Sequence, residues 1–209
     1  MSRKKIPLQR KTPARRMDRR VQRTRDVLGD ALMHLIQEKP FATITVQEVI
    51  DRANVGRSTF YTHYRDKDDL FLSDVEDFFE SMATLLARRG EASNRVAPVR
   101  ELFAHVAEVR EFYAKLVASG KVQDVLELGR GHFARAIEQR LAELSEDKAT
   151  RSVPRAAMAH ALAGALLSLL TWWIDHGMRE TPGQMDDLYH KMVWSGMSAS
   201  NRYTAPTTL

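Results

Sequence analysis

Apolar residues recur every three to four positions along this chain from Arg25 onward, and this spacing is the strongest constraint on its fold. It matches the 3.6-residue turn of an α-helix, and no segment of useful length alternates apolar and polar residues as a half-buried β-strand does. The first apolar stripe ends before Pro40 and consists of Val27, Leu28, Ala31, Leu32, Leu35 and Ile36. The sequence therefore predicts an all-α protein.

The positive charge of the chain is concentrated at its beginning. The formal net charge is +5, yet residues 1–25 hold eleven basic side chains and one acid, so the remainder is net acidic. We expect residues 1–21 to form a disordered basic arm, because Pro7 and Pro13 should interrupt a helix there. Such an arm is typical of a segment that contacts a polyanion, for example the minor groove of DNA. A solvated leader without function has the same composition.

The chain has 209 residues and no cysteine. This excludes a disulfide scaffold, thiolate zinc sites and cysteine nucleophiles, and makes a reducing compartment the default. No apolar stretch follows the first basic residues as it does in a secretory signal, so we expect a cytoplasmic protein. The sequence signatures of nucleophile elbows, zinc proteases and phosphate-binding loops are also missing. We therefore expect no enzymatic activity, no metal and no cofactor.

Two short helices joined by a tight turn are predicted over residues 45–64. Thr45 and Glu48 have the spacing of a capping box, which starts the first of them. Asn54 and Gly56 then interrupt the pattern, since both residue types suit the backbone of a tight turn. The second helix is predicted from Arg57 to about residue 64. This pattern is typical of a helix-turn-helix, but an ordinary helical corner shares it.

Residues 53–71 decide between the two, with the sequence Ala-Asn-Val-Gly-Arg-Ser-Thr-Phe-Tyr-Thr-His-Tyr-Arg-Asp-Lys-Asp-Asp-Leu-Phe. They closely resemble the N-terminal signature of TetR/AcrR-family transcriptional regulators, and the resemblance extends over about residues 22–72. It implies a three-helix DNA-binding domain at residues 22–68, a larger helical ligand-binding and dimerisation domain at residues 69–200, and a tail at residues 201–209. It also implies a homodimer that binds an inverted repeat in double-stranded DNA.

The resemblance assigns roles to individual side chains of the two short helices. Phe60 is expected to point inward and anchor the second helix. The side chains expected to face base edges are Arg57, Ser58 and Thr62, with Gln47 as a helper; the fork of Arg57 suits guanine. Phosphate contacts are expected from Thr45, Thr59, Tyr61, His63 and Lys67. The chain departs from the family pattern at Asn54, where glycine is usual, and at Gly56, where Ser or Thr usually caps the second helix.

Further helices are predicted beyond this motif. One begins at Asp66 and ends at Gly90, and another spans residues 98–119. Two short helices, at about residues 121–128 and 131–144, are expected to be separated by glycines. Pro154 starts the next helix, and the capping box Thr181-Pro182-Gly183-Gln184 starts the last one.

Residues 156–174 are nearly uncharged and long enough to span a membrane. As a helix, this stretch would separate large residues, Leu162, Leu166, Leu169 and Trp173, from small ones, Ala157, Ala161, Gly164, Ala165 and Ser168. That division favours packing between the core and a partner subunit over a membrane span. In the TetR/AcrR family the last two long helices form a four-helix dimer interface. We expect His160 to be a hydrogen-bonded core residue.

Aromatic and methionine side chains of the body predict an apolar cavity lined by Phe103, Phe112, Tyr113, Met158, Trp172, Trp173 and His176. Residues of these types at helical spacing more often belong to an ordinary core. The favoured function is a dimeric repressor that a small, mainly apolar ligand releases from a palindromic operator. The alternatives are an activator or architectural DNA-binding protein of the same fold without an inducer and, more distantly, an all-α enzyme.

Overall fold

A computed structural model describes residues 13–88, 90, 92–144 and 154–200. These residues form α-helices and one 3₁₀ turn at Phe41–Thr43, and no β-strand lies among them, so the all-α prediction is confirmed. The chain divides into two compact units, Met1–Phe71 and Leu72–Leu209. The helices are α1 Pro13–Glu38, α2 Val46–Ala53, α3 Arg57–His63, α4 Lys67–Ala83, α5 Leu85–Arg88, α6 Val99–Glu108, α7 Arg110–Ala118, α8 Val122–Glu143, α9 Arg155–Asp175 and α10 Pro182–Ser200.

Helix α1 begins earlier than the sequence indicates. It starts at Pro13, so the prediction of a disordered arm is wrong for residues 13–21. The backbone N–H groups in the first turn of a helix have no partner within the helix, so proline, which lacks this group, is tolerated there. Its fixed φ also suits the first helical position. The arginines that follow are good helix formers. Residues 1–12 of the predicted arm lie outside the described residues.

The core of the first unit joins α1, α2, α3 and the start of α4. Six side chains from these helices are completely buried: Leu28, Leu32, Val49, Phe60, Leu70 and Phe71. The ring of Phe41, from the 3₁₀ turn, packs 5.4 Å from the ring of Phe71. Burial of each large apolar side chain contributes about 1.5–3 kcal/mol. This packing stabilises α2 and α3, which are too short to be stable helices in isolation.

The signals that start and end α2 are both confirmed. The Glu48 amide donates to Thr45 Oγ1 at 3.3 Å, and the Thr45 amide donates to the Glu48 carboxylate at 2.9 Å. Lys39 also contacts this carboxylate. Its hydrogen bond, together with those from Thr45, lowers the pKa of Glu48 to about 2. Asn54 ends the helix in the left-handed conformation, with φ 51°.

The second unit contains the packed pair α8 and α9, and α6 packs against α10. Helix α8 is continuous from Val122 to Glu143, so the predicted break at Gly129 and Gly131 is wrong. A Cβ at Gly129 would lie 2.7 Å from Cζ of Phe79. Glycine is therefore needed at position 129 because α4 approaches closely, and the cost of glycine inside a helix is offset by this packing.

Two predicted long helices are each divided in two. The helix that begins after Asp66 ends at Ala83, and α5 follows it before Gly90. The helix predicted over residues 98–119 is interrupted at Val109, whose φ and ψ are −103° and 28°. Both breaks preserve the apolar stripe on either side, which is why periodicity alone did not find them. The capping box before α10 is confirmed, since the Gln184 amide donates to Thr181 Oγ1 at 3.2 Å.

Helix α9 is, among the described helices, the one with the length and hydropathy of a membrane span. Its large residues form part of the core, where Leu166 and Trp173 are buried. Its small-residue stripe lies on the other side, with Ala157, Ala161, Ala165 and Ser168 exposed and Gly164 half-buried. His160 is exposed as well, so its prediction as a core histidine is wrong: it follows the register of the small residues.

A buried polar cluster links helix α10 to residues 95 and 96, which precede α6. Arg95 donates to Asp186 Oδ1 at 2.9 Å and is paired with Glu101. The Val96 amide donates to His190 Nε2 at 3.0 Å, while His190 Nδ1 lies 2.8 Å from the Asp186 carbonyl oxygen. A ring that accepts at one nitrogen and donates at the other is neutral. Burial lowers the pKa of His190 and favours this neutral form.

Candidate DNA-binding surface

Helix α3 presents one polar face to solvent and one apolar face to the core. Phe60 is completely buried and Tyr64, directly after the helix, is 5% exposed. The helical period then places four residues outward, and Arg57, Ser58, Tyr61 and Thr62 are all exposed. Thr59 and His63 lie between the two faces and are half-buried. The burial of Phe60 therefore sets which side chains α3 can offer to DNA.

The structure brings Arg57 together with two other predicted contact residues. Its Nη1 lies 3.4 Å from Gln47 Oε1, and its guanidinium lies 5.5 Å from the centre of the Tyr61 ring. Gln47 donates in turn to Asp51 Oδ1 at 2.8 Å. Because Asp51 can only accept, it directs the amide nitrogen of Gln47 toward itself and leaves the amide oxygen for Arg57. The guanidinium is thus held between an acceptor and an aromatic face.

The hydroxyls of this surface are partly engaged within the protein. Thr62 Oγ1 donates to the Ser58 carbonyl at 2.9 Å, as threonine commonly does inside a helix. Thr45 Oγ1 belongs to the capping box and also lies 2.9 Å from the Glu48 carboxylate. A phosphate at Thr45 would therefore share a hydroxyl that already caps α2. Tyr61, with 48% of its surface exposed, has its ring packed edge-on against Phe60.

The ammonium of Lys67, a predicted phosphate contact, is engaged within the protein. Its ammonium donates to the carbonyl oxygens of Phe41 at 2.7 Å, Ala42 at 3.2 Å and Ile44 at 2.6 Å. It also lies 4.8 Å from the centre of the Phe41 ring. An ammonium has three protons, and here all three are directed at the turn before α2. Lys67 thus joins this turn to the start of α4, and its contact with a phosphate stays a prediction.

Sequence reasoning missed Arg20 and Thr24 of α1, which line a groove beside Thr59 and His63 of α3. The prediction of disorder for residues 1–21 concealed Arg20. The signal that could have found both residues is their spacing of four, which places them on one face once α1 is extended toward Pro13.

The predicted ligand-binding residues of the second unit lie in different surroundings in the described part of the chain. Phe103 and Trp173 fill the core with rings 4.9 Å apart, and the Trp173 indole donates to the Glu180 carbonyl at 2.9 Å. Trp172 is 43% exposed and stacks on His176 at 4.5 Å. The remaining three, Phe112, Tyr113 and Met158, are half-buried.

A different cavity of about 320 Å³ opens between α4, α5 and α8. Its floor is apolar, with Ala83, Leu86 and Val96, and its rim carries Arg135 and Arg140. None of the seven predicted ligand residues lines it.

Two family models match the chain. The model of bacterial regulatory proteins of the tetR family matches residues 28–73, and that of a transcriptional regulator C-terminal region matches residues 98–194. The chain belongs to the TetR family. The first match contains α2 and α3, while the second extends from α6 into α10, so each unit of this TetR-family regulator contains one match.

Individual relatives agree with this assignment. The uncharacterised regulator YxbF of Bacillus subtilis is 36% identical over 63 residues, which cover 30% of this chain and 17% of YxbF. The regulator AcrR of Shigella flexneri is 29% identical over 98 residues, or 46% of this chain and 45% of AcrR. The chain thus spans less than half of these curated relatives. Both are transcriptional regulators, in agreement with the expectation that this TetR-family chain is not an enzyme.

Solved structures show the same fold over most of the chain. A TetR transcriptional regulator from Streptococcus agalactiae is 29% identical with a TM-score of 0.58, and the match covers 86% of this chain and 98% of that one. Thermus thermophilus FadR, a TetR-family repressor in complex with lauroyl-CoA, is 19% identical with a TM-score of 0.58, covering 88% and 99%. This second likeness concerns the fold alone.

Proposed function

We propose that this TetR-family regulator binds double-stranded DNA in a sequence-specific manner and represses transcription in the cytoplasm. The observation that carries the proposal is the exposed face of α3, where Arg57, Ser58, Tyr61 and Thr62 project from a helix anchored by the buried Phe60. The major groove of B-DNA admits one such helix. The fork of Arg57, supported by Gln47 and Tyr61, is suited to O6 and N7 of guanine.

We further propose that two copies assemble through α9 and α10. The small-residue stripe of α9 is exposed, and α10 exposes Leu188 and Met192 at 43% and 47%. Apart from its own helix, no neighbouring atom lies within 4 Å of the position that a Cβ would take on Gly164. The fold of one copy therefore does not require glycine there, whereas close approach of a second helix would. A two-fold dimer would read an inverted repeat, with one α3 in each half-site.

The proposed effector is a small, mainly apolar molecule that lowers operator affinity. Support comes from the family and from FadR, which is a repressor found with lauroyl-CoA. One observation favours the alternative of a regulator without an inducer: Phe103 and Trp173, at 0% and 1% exposure, fill the place where the ligand was expected. A ligand there would have to separate the two rings. It would also have to bind the opened state more tightly than the closed state, by enough to offset the free energy of opening.

Selection of binding sites from random DNA by the full chain tests the first proposal. We expect an enriched inverted repeat that contains guanine in each half, and Arg57→Ala should remove the preference for that guanine. Protein that enriches no motif, while retaining its helical circular dichroism, would contradict sequence-specific binding. Screening apolar acids and acyl thioesters for release of the enriched DNA then separates an induced repressor from a regulator without an inducer.

A further inference from the structure

A polar groove lies beside the recognition face, between α1 and the turn that precedes α3. Its volume is about 420 Å³, and we call it the α1–turn groove. The residues that line it are Arg20, Val21 and Thr24 of α1, Asn54, Val55 and Gly56 of the turn, and Thr59 and His63 of α3. All of these residues belong to the first compact unit.

The lining of the α1–turn groove is suited to an anion. Arg20 contributes a guanidinium, Thr59 and Asn54 contribute hydrogen-bonding groups, and no carboxylate is present among the eight lining residues. The apolar contribution comes from Val21 and Val55, which is too little to bind an apolar molecule. Arg20 thus offers a fork of donors without an acidic neighbour in the lining, which is the arrangement that recognises phosphate.

The two departures from the family pattern both contribute to this groove. Gly56 stands where Ser or Thr is usual, and the nearest atom to a Cβ built on it would be Thr59 Oγ1 at 3.8 Å. The missing side chain therefore leaves room in front of Thr59. Asn54 stands where glycine is usual and adds an amide to the lining. The groove is wider and more polar than the family pattern alone implies.

The helical period of α3 places the groove on one flank of the recognition face. Successive residues are 100° apart around the helix, so Thr59 and His63 lie next to Ser58 and Thr62 and away from Arg57. The opposite flank is occupied by Gln47, which contacts Arg57. A helix in the major groove lies between two phosphate backbones about 12 Å apart. The α1–turn groove then faces one of these backbones.

We propose that the α1–turn groove binds a phosphodiester of the DNA backbone that flanks each half-site, with Arg20 as its principal contact. This inference rests on the proposed DNA-binding function and extends the protein's contact beyond the helix-turn-helix to the basic part of α1. The contact is independent of sequence, because a phosphate is the same at every base pair. It fixes α3 in register and contributes equally to specific and non-specific affinity.

The test compares Arg20→Gln with Arg23→Gln, measured as DNA affinity of the full chain at salt concentrations from 50 to 200 mM. Arg23 is an exposed arginine of the same helix that does not line the groove, so its variant controls for the loss of one charge. Each lost phosphate contact reduces the slope of log affinity against log salt by about 0.9. Because the proposed dimer carries two copies of the groove, the slope for Arg20→Gln should fall by about 1.8 in total. Over this fourfold range of salt, the affinity deficit of Arg20→Gln should therefore shrink about twelvefold, and it should be the same on operator and scrambled DNA. Arg23→Gln should retain the wild-type slope.

Two further variants separate the possible outcomes. Arg20→Lys keeps the charge and should restore the slope, whereas Arg57→Ala should lose preference among operator variants. Suppose that Arg20→Gln and Arg23→Gln show the same slope of log affinity against log salt, while Arg57→Ala loses its preference among operator variants. The proposed DNA binding then stands, and the groove proposal fails. Inorganic phosphate provides a second readout of the groove. If phosphate raises the melting temperature of the wild type but not of Arg20→Gln, and the DNA slopes are equal, the groove binds free anions and the proposed DNA contact is refuted.

Discussion

Substitution of Lys67 by methionine distinguishes a structural lysine from a phosphate contact. Methionine retains an apolar stem of similar length and removes the ammonium that joins α4 to the turn before α2. Three carbonyl oxygens then lose a donor, although the Phe41 oxygen still accepts from the Ile44 amide at 3.1 Å. The Ala42 carbonyl is exposed and can bind water instead, so the loss concerns mainly the part-buried carbonyls of Phe41 and Ile44.

The expected destabilisation follows from these two bonds. A hydrogen bond that involves a charged group contributes about 1.5–3 kcal/mol, and rehydration of a half-buried site recovers part of it. We expect Lys67→Met to lower the free energy of opening the first unit by about 2–3 kcal/mol, which is a large fraction of the 5–15 kcal/mol typical of a domain. Amides of α2 and α3 should then exchange with solvent about 30- to 150-fold faster.

Hydrogen exchange of the full chain, read by mass spectrometry of separate peptides, measures this change directly. Tryptophan fluorescence is unsuitable, because all three tryptophans, Trp172, Trp173 and Trp194, belong to the second unit. Arg65→Met serves as the control, since the Arg65 side chain is 86% exposed and pairs with Asp69 on the surface at 3.0 Å. Such pairs contribute at most about 1 kcal/mol. Unchanged exchange in Lys67→Met, combined with a weaker salt dependence of DNA binding, would refute the structural role and support the phosphate role.

Three other variants or conditions test the remaining parts of the account. Arg57→Ala should cost about 1–3 kcal/mol per half-site on the preferred operator and almost nothing on scrambled DNA; an equal loss on both would make Arg57 a backbone contact. Gly164→Phe should give a folded monomer in sedimentation, with Ala157→Ser as the mild control, and a stable Gly164→Phe dimer would place the interface elsewhere. The free energy of unfolding should decrease as pH falls below about 6.5, by up to about 1.4 kcal/mol per pH unit, because unfolding restores the ordinary pKa of His190 and lets it bind a proton. In His190→Gln the amide oxygen can accept from the Val96 amide, so this variant should show a weaker dependence of the unfolding free energy on pH below about 6.5. An unchanged pH dependence in the variant would assign the effect to other groups.

The features that could be predicted from the sequence are those that neighbouring residues determine. Thr45 and Glu48 satisfy each other's backbone groups within one turn, and Asn54 is one of the few residue types besides glycine that tolerate the left-handed conformation. The inward position of Phe60 and the outward positions of Arg57, Ser58 and Thr62 were expected from the resemblance to the TetR/AcrR signature, and the structure has Phe60 buried and these three side chains exposed. Their contacts with bases stay a prediction.

The features that could not be predicted depend on residues far apart in the sequence. Glycine at position 129 is a residue type that commonly interrupts a helix. Only the ring of Phe79, fifty positions earlier, explains a glycine inside α8. Lys67 has the position of a phosphate contact at a helix start, and only the carbonyls of residues 41, 42 and 44 show that its protons are occupied. In both cases the local signal does not show the contact with a distant element, which only the folded structure supplies.

Both sides of α9 are apolar, so only the size of its side chains can indicate from the sequence which side faces the core. Side-chain size separated the two named stripes, because large residues fill a core while small ones permit two helices to approach. The small Ala159 and Ala163 are nevertheless buried in the core as well. Size did not reveal that His160 lies with the small residues and is exposed. Its position has a consequence for the proposed dimer: a histidine in that interface would be desolvated on association unless a partner group accepted its proton. If His160 lies at the interface, His160→Glu should weaken dimerisation, because a carboxylate would then have to be buried without a partner. Sedimentation of the variant and the wild type at one pH measures this change. Equal dissociation constants of the two proteins would place His160 outside the contact.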